Sequence, residues 1–341
     1  MTQAKILITG AAGFIGSNLA GRLLRDGARV IGIDNLNDYY DVRLKEKRLA
    51  GLECDRFRFV RMDISDAEAL KKLFEEEKPE YVVNLAAQAG VRHSITNPDA
   101  YIQSNIVGFY NILECCRHSY DNGTGVRHLV FASSSSVYGG NRKVPYSVED
   151  KVDTPVSLYA ATKKSNELMA HAYSKLYGIP STGLRFFTVY GPMGRPDMAY
   201  FSFAEKMARK QKIQLFNHGD MYRDFTYIDD VITGIRNVLA KPPVENEDGV
   251  RYKIYNIGNH SPVSLMRFVE ILEQCLKEAG VIEGPAVKEF LPMQPGDVYQ
   301  TYADVTELER DFGFRPDTPL EVGLKRFADW YASYFREKEN G

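Results

Sequence analysis

The sequence predicts an α/β protein: a doubly wound parallel sheet with helices on both faces, joined to a smaller mixed α/β C-terminal domain. Two observations carry this. Short apolar runs alternate with longer amphipathic segments through the first half of the chain, and strands that alternate with helices pair in parallel. The first strand also runs directly into a glycine-rich turn and a helix, which is how a doubly wound, Rossmann-type sheet begins. A length of 341 residues, 44% hydrophobic and 26% charged, is enough for a sizeable core.

The elements follow in order. Lys5 to Thr9 (KILIT) reads as a buried strand, and Ile15 to Arg25 as a helix, with Ile15, Leu19, Leu23 and Leu24 near helical spacing. Arg29 to Ile33 (RVIGI) is the second strand, and a polar loop leads to the third at Phe57 to Arg61. Ala67 to Glu77 is a helix ended by Pro79. Strands at Tyr81 to Leu85, His128 to Ala132 and Ser181 to Phe186 are separated by helices at Gln103 to Tyr120 and Leu158 to Tyr177. Past Gly191 the segments shorten and prolines interrupt them. Residues 1–190 are therefore expected to form the first domain and 191–335 the second. Segments near 225–258 are candidates to rejoin the first, above all the late strand Tyr252 to Ile257. Trp330, Tyr331, Tyr334 and Phe335 read as the packing face of a terminal helix.

Composition excludes several functions. Lys+Arg 43 against Asp+Glu 45 gives a net charge of −2, which offers no basis for general nucleic-acid or anionic-membrane binding. The four cysteines, Cys54, Cys115, Cys116 and Cys275, contain no CxxC pair, so neither a metal site nor a disulfide framework is expected. No run approaches the ~18 apolar residues of a membrane span, and MTQAKILITG lacks a secretory signal. The expectation is a cytoplasmic protein.

The turn is Gly10-Ala11-Ala12-Gly13-Phe14-Ile15-Gly16, spaced GxxGxxG, one residue looser than the usual dinucleotide fingerprint. Its glycines let backbone N–H groups approach a pyrophosphate, and the helix N-terminus adds partial positive charge. Asp34 ends the second strand 18 residues after Gly16, where an acid binds the ribose diol of NAD and repels a 2′-phosphate. Asn35 follows, not an arginine, so NAD is expected over NADP. Asp63, after the third strand, stands where a carboxylate bonds the adenine amino group; otherwise it caps the next helix beside Asp66.

Tyr159 and Lys163 form Tyr-x-x-x-Lys, one helical turn apart on one face. A phenol titrating near 10 is a poor base at neutral pH. A nearby ammonium and a positive nicotinamide would lower it. Upstream, Ser133-Ser134-Ser135-Ser136 follows a buried strand at its carboxyl end, the edge where open α/β sheets bind ligands. A hydroxyl from this run would hold a sugar hydroxyl while Tyr159 takes its proton.

With these residues in place the chain resembles the extended short-chain dehydrogenase/reductases that act on nucleotide sugars. Arg185 to Pro192 (RFFTVYGP), Arg223 to Asp230 (RDFTYIDD) and Pro295-Gly296-Asp297 extend the likeness over nearly the whole chain. Four stretches resemble the UDP-glucuronate 4-epimerase subgroup: Asp34 to Asp41 (DNLNDYYD), Ala86 to Arg92 (AAQAGVR), Gly194 to Ala199 (GRPDMA) and Met293 to Val298 (MQPGDV). The resemblance implies 4-epimerisation of a UDP-sugar through a 4-keto intermediate, with NAD as a retained cofactor. It also implies a homodimer built on the Gln103–Tyr120 and Leu158–Tyr177 helices and a place in polysaccharide building. It makes Ser134, three positions before Val-Tyr-Gly, the catalytic hydroxyl, and leaves Ser135 and Ser136 to face the substrate. It extends the cofactor set to Phe14, Ile15, Ile64, Ala86, Ala87 and Gln88. The substrate set becomes Arg92, Thr188, Arg195, Arg223, Gln294 and Asp297, with the serines and Tyr159. Thr188 stands where UDP-galactose epimerases carry Asn, and Gln294 where they carry Arg, which leaves Arg223 as the diphosphate clamp.

A uronic acid adds a constraint. Its 4-keto form is a β-keto acid and loses carbon dioxide unless the carboxylate is held out of line with the ketone. Thr188, Arg195 and a serine of the 134–136 run are the donors expected to hold it; otherwise Arg195 belongs to a solvated loop and Thr188 merely ends a strand. The alternatives are an epimerase for UDP-N-acetylhexosamines or their uronates, a UDP-glucuronate decarboxylase, and an NAD-sensing binding protein. The decarboxylase would carry an acid just before Val137, where this chain has Ser135 and Ser136.

Overall fold

The computed structural model of the chain describes residues 1–121, 123, 125–294 and 296–340; Pro295 of the Pro-Gly-Asp motif lies outside them. The main sheet contains β1 (Lys5–Thr9), β2 (Arg29–Asp34), β3 (Phe57–Arg61), β4 (Tyr81–Asn84), β5 (His128–Ser134) and β6 (Ser181–Phe186). Three short strands follow, β7 (Thr188–Tyr190), β8 (Ile213–Leu215) and β9 (Tyr222–Tyr227), and then β10 (Tyr252–Ile257), β11 (Pro262–Ser264) and β12 (Lys288–Phe290). The seven-stranded order is β10-β6-β5-β4-β1-β2-β3, with each pairing parallel. The late strand thus extends the sheet beside β6, Tyr252 opposite Ser181. The order turns back between β1 and β4, so their loops diverge and leave a crevice at the carboxyl edge.

Alternation along the strands builds two cores, because successive side chains point to opposite faces. Ile6, Ile8, Val30, Val83 and Val130 pack with Leu19 and Leu23 of α1 (Phe14–Arg25) on one side. Leu7, Ile31, Val82 and Leu129 pack on the other with Leu70 and Leu73 of α3 (Ala67–Glu77), which follows α2 (Val42–Ala50) in the chain. The second face also takes Phe109 and Ile112 of α6 (Gly108–Ser119), reached after α4 (His93–Thr96) and α5 (Pro98–Tyr101).

Two expectations change. The polar loop after β2 contains α2, whose buried residues are Leu44, Lys45 and Arg48; two of the three are charged, so apolar periodicity is silent there. The helix expected from Gln103 is interrupted by a π-helical stretch, Ile102–Val107, before α6 begins at Gly108. The wider turn carries the buried Asn105, and such bulges often mark functional positions.

Beyond the main sheet, β11-β9-β7 and β12-β8 form two small sheets. They are covered by α8 (Ala199–Ala208), α10 (Leu265–Glu278) and α12 (Leu320–Asn340); α9 (Ile228–Leu239) packs on α1, and the short α11 (Thr306–Phe312) lies against β10. In α12, Trp330, Tyr331 and Tyr334 surround Phe201 at centroid distances of 5.8, 5.5 and 5.7 Å, which is ring packing inside the protein. No helix among the described residues is long and apolar enough to cross a membrane.

One buried group between β5 and β6 sets a pH dependence. The His128 ring has Nε2 2.8 Å from Thr182 Oγ1 and Nδ1 3.3 Å from the Leu239 carbonyl. Burial pushes its pKa down to about 4. The unfolded chain takes up this proton near 6.5. Stability from the neutral imidazole is therefore complete above pH 6.5 and falls as pH drops toward 4, by about 3 kcal/mol in all. Urea denaturation across that range should show this slope, and His128→Gln should flatten it. An equal slope in both proteins would refute the assignment.

Candidate active site

The site gathers at the carboxyl edge of the sheet. After β1 the chain turns at Gly10 with φ +69°, where a Cβ would stand 2.8 Å from the Ala86 nitrogen. A Cβ on Gly16 would lie 2.1 Å from the Gly10 carbonyl oxygen, so the turn and α1 pack backbone to backbone. Gly13 is the N-cap of α1 and supplies no side-chain acceptor to its first N–H groups. Phe14 is buried in the core and Ile15 half-buried. Asp34 accepts from the Ala12 N–H at 3.1 Å and the Leu36 N–H at 2.9 Å, one on each oxygen.

Asp63 is not the helix cap; Asp66 is, accepting from the Ala69 N–H at 3.0 Å. Burial would raise the Asp63 carboxyl, but bonds from the Ser65 N–H, the Asn35 amide and the Ser65 hydroxyl bring it below the usual range. The buried Ile64 gives its carbonyl to Asn111 at 3.0 Å. Ala86 donates its N–H to Thr9 Oγ1 at 3.0 Å, and the half-buried Ala87 follows. Gln88 is clamped by Asn105, which accepts from its N–H at 2.8 Å and donates to its carbonyl at 3.0 Å. Asn105 reaches Thr162 of α7 (Leu158–Tyr177) at 3.1 Å, joining the cofactor edge to the helix of Tyr159 and Lys163. Sequence reading missed Asn105, since only the bulge brings it inward.

Ser157 caps α7 by accepting from the Ala160 N–H at 3.1 Å, and this places Tyr159 in the first turn. Lys163 donates to the Ala132 carbonyl at 2.9 Å and lies 5.9 Å from the Tyr159 ring centroid. Burial lowers its pKa to about 8. Burial also raises the Tyr159 phenol, against the pull of the Ser134 hydroxyl bonded to it and of the Arg195 guanidinium. Alternation in β5 sends Ser133 elsewhere: its hydroxyl donates to Glu167 at 2.7 Å. Glu167 and Arg185 form a buried two-pronged ion pair at 2.8 and 2.9 Å that anchors this strand end. Ser134 accepts from the Ser136 N–H at 3.1 Å, and Ser135 and Ser136 lie half-buried on the turn that follows.

Arg195 is half-buried, and its charge acts on the Tyr159 phenol. Asp197 grips the guanidinium at 3.0 and 2.5 Å, and Tyr39 donates to the same carboxylate at 3.3 Å. Burial opposes the Arg195 charge, and Asp197 more than restores it, so the pKa lies above the ordinary arginine value. Thr188 opens β7, half-buried, with Phe225 as its register partner. A second group collects on Asp297, whose oxygens take Arg92 and Arg223 at 3.3 Å each. Arg223 also donates to the carbonyls of Tyr222 and Tyr299 at 2.8 and 3.2 Å. Arg92 lies 4.8 Å over the Phe216 ring. Gln294 accepts from the Asp297 N–H through its carbonyl at 3.2 Å. Arg92, Arg195, Arg223 and Asp297 were all legible in their motifs, but the role of Asp197 in holding Arg195 and the sharing of Asp297 between two arginines were not.

Residues 6–258 match the sequence profile of the NAD dependent epimerase/dehydratase family. The chain belongs to that family. It is 52% identical to protein CapI of Staphylococcus aureus over 98% of its own length and 100% of that protein. With UDP-glucuronate 4-epimerase 2 of Arabidopsis thaliana it shares 46% identity, over 97% of this chain and 76% of the other. The crystal structure of a UDP-glucuronic acid 4-epimerase from Bacillus cereus, in complex with UDP-glucuronic acid and NAD, aligns with a TM-score of 0.86 at 35% identity. That alignment covers 97% of this chain and 99% of that one.

NAD is the cofactor of the epimerase/dehydratase family, and the residues here fit it. The uncapped N-terminus of α1 and a turn that any Cβ at Gly10 or Gly16 would displace suit a pyrophosphate. Asp34, held rigid by two backbone N–H groups, presents a carboxylate for a ribose diol and disfavours a 2′-phosphate.

Proposed function

We propose that this epimerase-family protein interconverts UDP-glucuronate and UDP-galacturonate at carbon 4. One observation carries the choice of acid over neutral sugar: the Arg195 guanidinium, locked by Asp197, acts on the same phenol as Ser134. A fixed cation beside the proton acceptor suits a carboxylate one carbon from the reacting centre.

Gly10, Gly13 and the start of α1 would hold NAD, with Asp34 and Asp63 at its adenosine end; when bound, it supplies the reversible redox partner of carbon 4. Tyr159 takes the proton from O4 as the 4-keto sugar forms and returns it after the sugar has turned. Ser134 holds O4 in line with Tyr159. Lys163 keeps its ammonium against the strand end and helps stabilise the phenolate. Arg195, Thr188 and a serine of the 134–136 run hold the carboxylate out of line with the ketone, so the β-keto acid keeps its carbon dioxide. Arg223 and Arg92, shared by Asp297, take the diphosphate, beside Gln294.

Tyr110, Leu168, Leu176 and Tyr177 are exposed on α6 and α7, which supports a homodimer on these helices. A monomeric mass by light scattering would remove that part. We place the protein in the cytoplasm, supplying a uronate for polysaccharide building.

The decisive test is NMR of the anomeric protons after incubation with UDP-glucuronate. UDP-galacturonate without pentose is the expected product. A UDP-pentose as main product would make the protein a decarboxylase, and no reaction would favour the hexosamine or sensor readings.

A further inference from the structure

Arg48, in the last turn of α2, is 3% exposed. Among the described residues its guanidinium bonds only neutral oxygens. Nη1 donates to the Ala12 carbonyl at 3.0 Å and the Tyr40 hydroxyl at 2.7 Å. Nε and Nη2 donate to the Met193 carbonyl at 3.0 and 2.7 Å, and Nη2 to the Gly194 carbonyl at 3.0 Å. A buried charge held by neutral oxygens alone is a poor route to stability, since an apolar side chain of the same volume avoids its desolvation. Its significance lies in what it joins.

The joined segments are the two halves of the site. Ala12 belongs to the cofactor turn, and its N–H is held by Asp34. Met193 and Gly194 immediately precede Arg195. Met193 sits at φ +56°, a left-handed conformation that a non-glycine residue keeps only when its surroundings impose it. The Arg48 fork is bonded to that very carbonyl twice. A second tie runs parallel: Tyr39, on the same segment, donates to Asp197, the carboxylate that aims Arg195. The Tyr40 ring, flanked by Lys45 at 5.0 Å and Arg48 at 5.5 Å, braces the fork.

We propose that Arg48 is a positioning residue that ties the Arg195 loop to the cofactor turn, so that control of the substrate carboxylate depends on an occupied cofactor site. The functional half of this proposal rests on the uronate reading of Arg195; the tie itself does not. Neither Arg48 nor Tyr39 need touch the sugar. Arg48 also adds a positive charge behind the turn that would meet the pyrophosphate.

Two variants of the full chain, Arg48→Met and Arg48→Lys, test it, with thermal melts as the folding control. Hydrogen–deuterium exchange of the peptide spanning 193–198, with and without saturating NAD, reads the tie without substrate. NAD should protect this peptide in the parent and not in Arg48→Met; equal protection in both overturns the tie. The ratio of UDP-pentose to epimer from UDP-glucuronate reads the consequence. A ratio per turnover is blind to how much enzyme has folded. It should rise about tenfold or more in Arg48→Met at saturating NAD, the size of a lost charge-assisted bond. Arg48→Lys should fall between, because an ammonium cannot reproduce the planar fork. If Arg48→Met does not fold, Arg48→Lys decides alone: a raised ratio and weakened protection support the proposal, and parental values for both overturn it. A parent enzyme that forms no epimer would fail the uronate reading, and the exchange experiment would still decide the tie.

Discussion

Tyr159→Phe is expected to abolish turnover while UDP-sugar binding survives. The ring should keep its place, because it packs edge-on to Tyr101 at 6.1 Å and beneath the Lys163 ammonium, and neither contact needs the hydroxyl. What disappears is the atom that takes the O4 proton and bonds Ser134. Positioned acid–base groups contribute about 10²–10⁴-fold. The whole of that loss should fall on kcat, with KM for UDP-glucuronate near the parent's. The phenol accepts a proton only as tyrosinate, so the parent's rate should rise with pH as the tyrosinate fraction grows, and the variant should lose that limb. Steady-state kinetics from pH 6 to 9 would decide. A loss below about tenfold would move the proton acceptor to another residue.

Arg195→Ala should injure the acid far more than the neutral sugar. A lost charge-assisted hydrogen bond weakens UDP-glucuronate by about 10- to 150-fold and leaves UDP-glucose nearly unaffected. The structure adds a second effect. Asp197 is held below the usual carboxylate range by Arg195, against its own burial. Without the arginine it remains as an uncompensated negative charge beside the substrate carboxylate, which it repels. Arg195→Ala combined with Asp197→Ala should therefore recover part of the loss on UDP-glucuronate. The loosened carboxylate can swing into line with the ketone, so UDP-pentose should appear as a by-product; Thr188→Val should do the same more weakly. Assays on both sugars, with products resolved by NMR, check each statement. Equal losses on acid and neutral sugar, with no pentose, would reopen the hexosamine reading.

Some of this was written in local sequence. KILIT running into GAAGFIG specifies a strand, a turn and a helix, because the apolar period and the glycine spacing each act over a few residues. Asp34 at a strand end and Tyr159 with Lys163 one turn apart are likewise short-range patterns. The motifs of the second half pointed to the family without locating their side chains. Gln103 to Tyr120 read as one unbroken helix, whereas Ile102–Val107 is π-helical and brings Asn105 against Gln88 and Thr162.

By itself, then, the sequence determined the α/β class, the succession of the main strands along the chain, the dinucleotide turn and the spacing of the Tyr–Lys pair. The tertiary structure alone decided which charges meet. Arg48 reaches Ala12 and Gly194, 36 and 146 residues away, and Asp297 divides itself between Arg92 and Arg223, 205 and 74 residues away. The physical reason is range. Backbone preference and side-chain periodicity act between near neighbours in the chain, while a guanidinium's partners are set by whichever loops the folded sheet edge brings within about 3 Å.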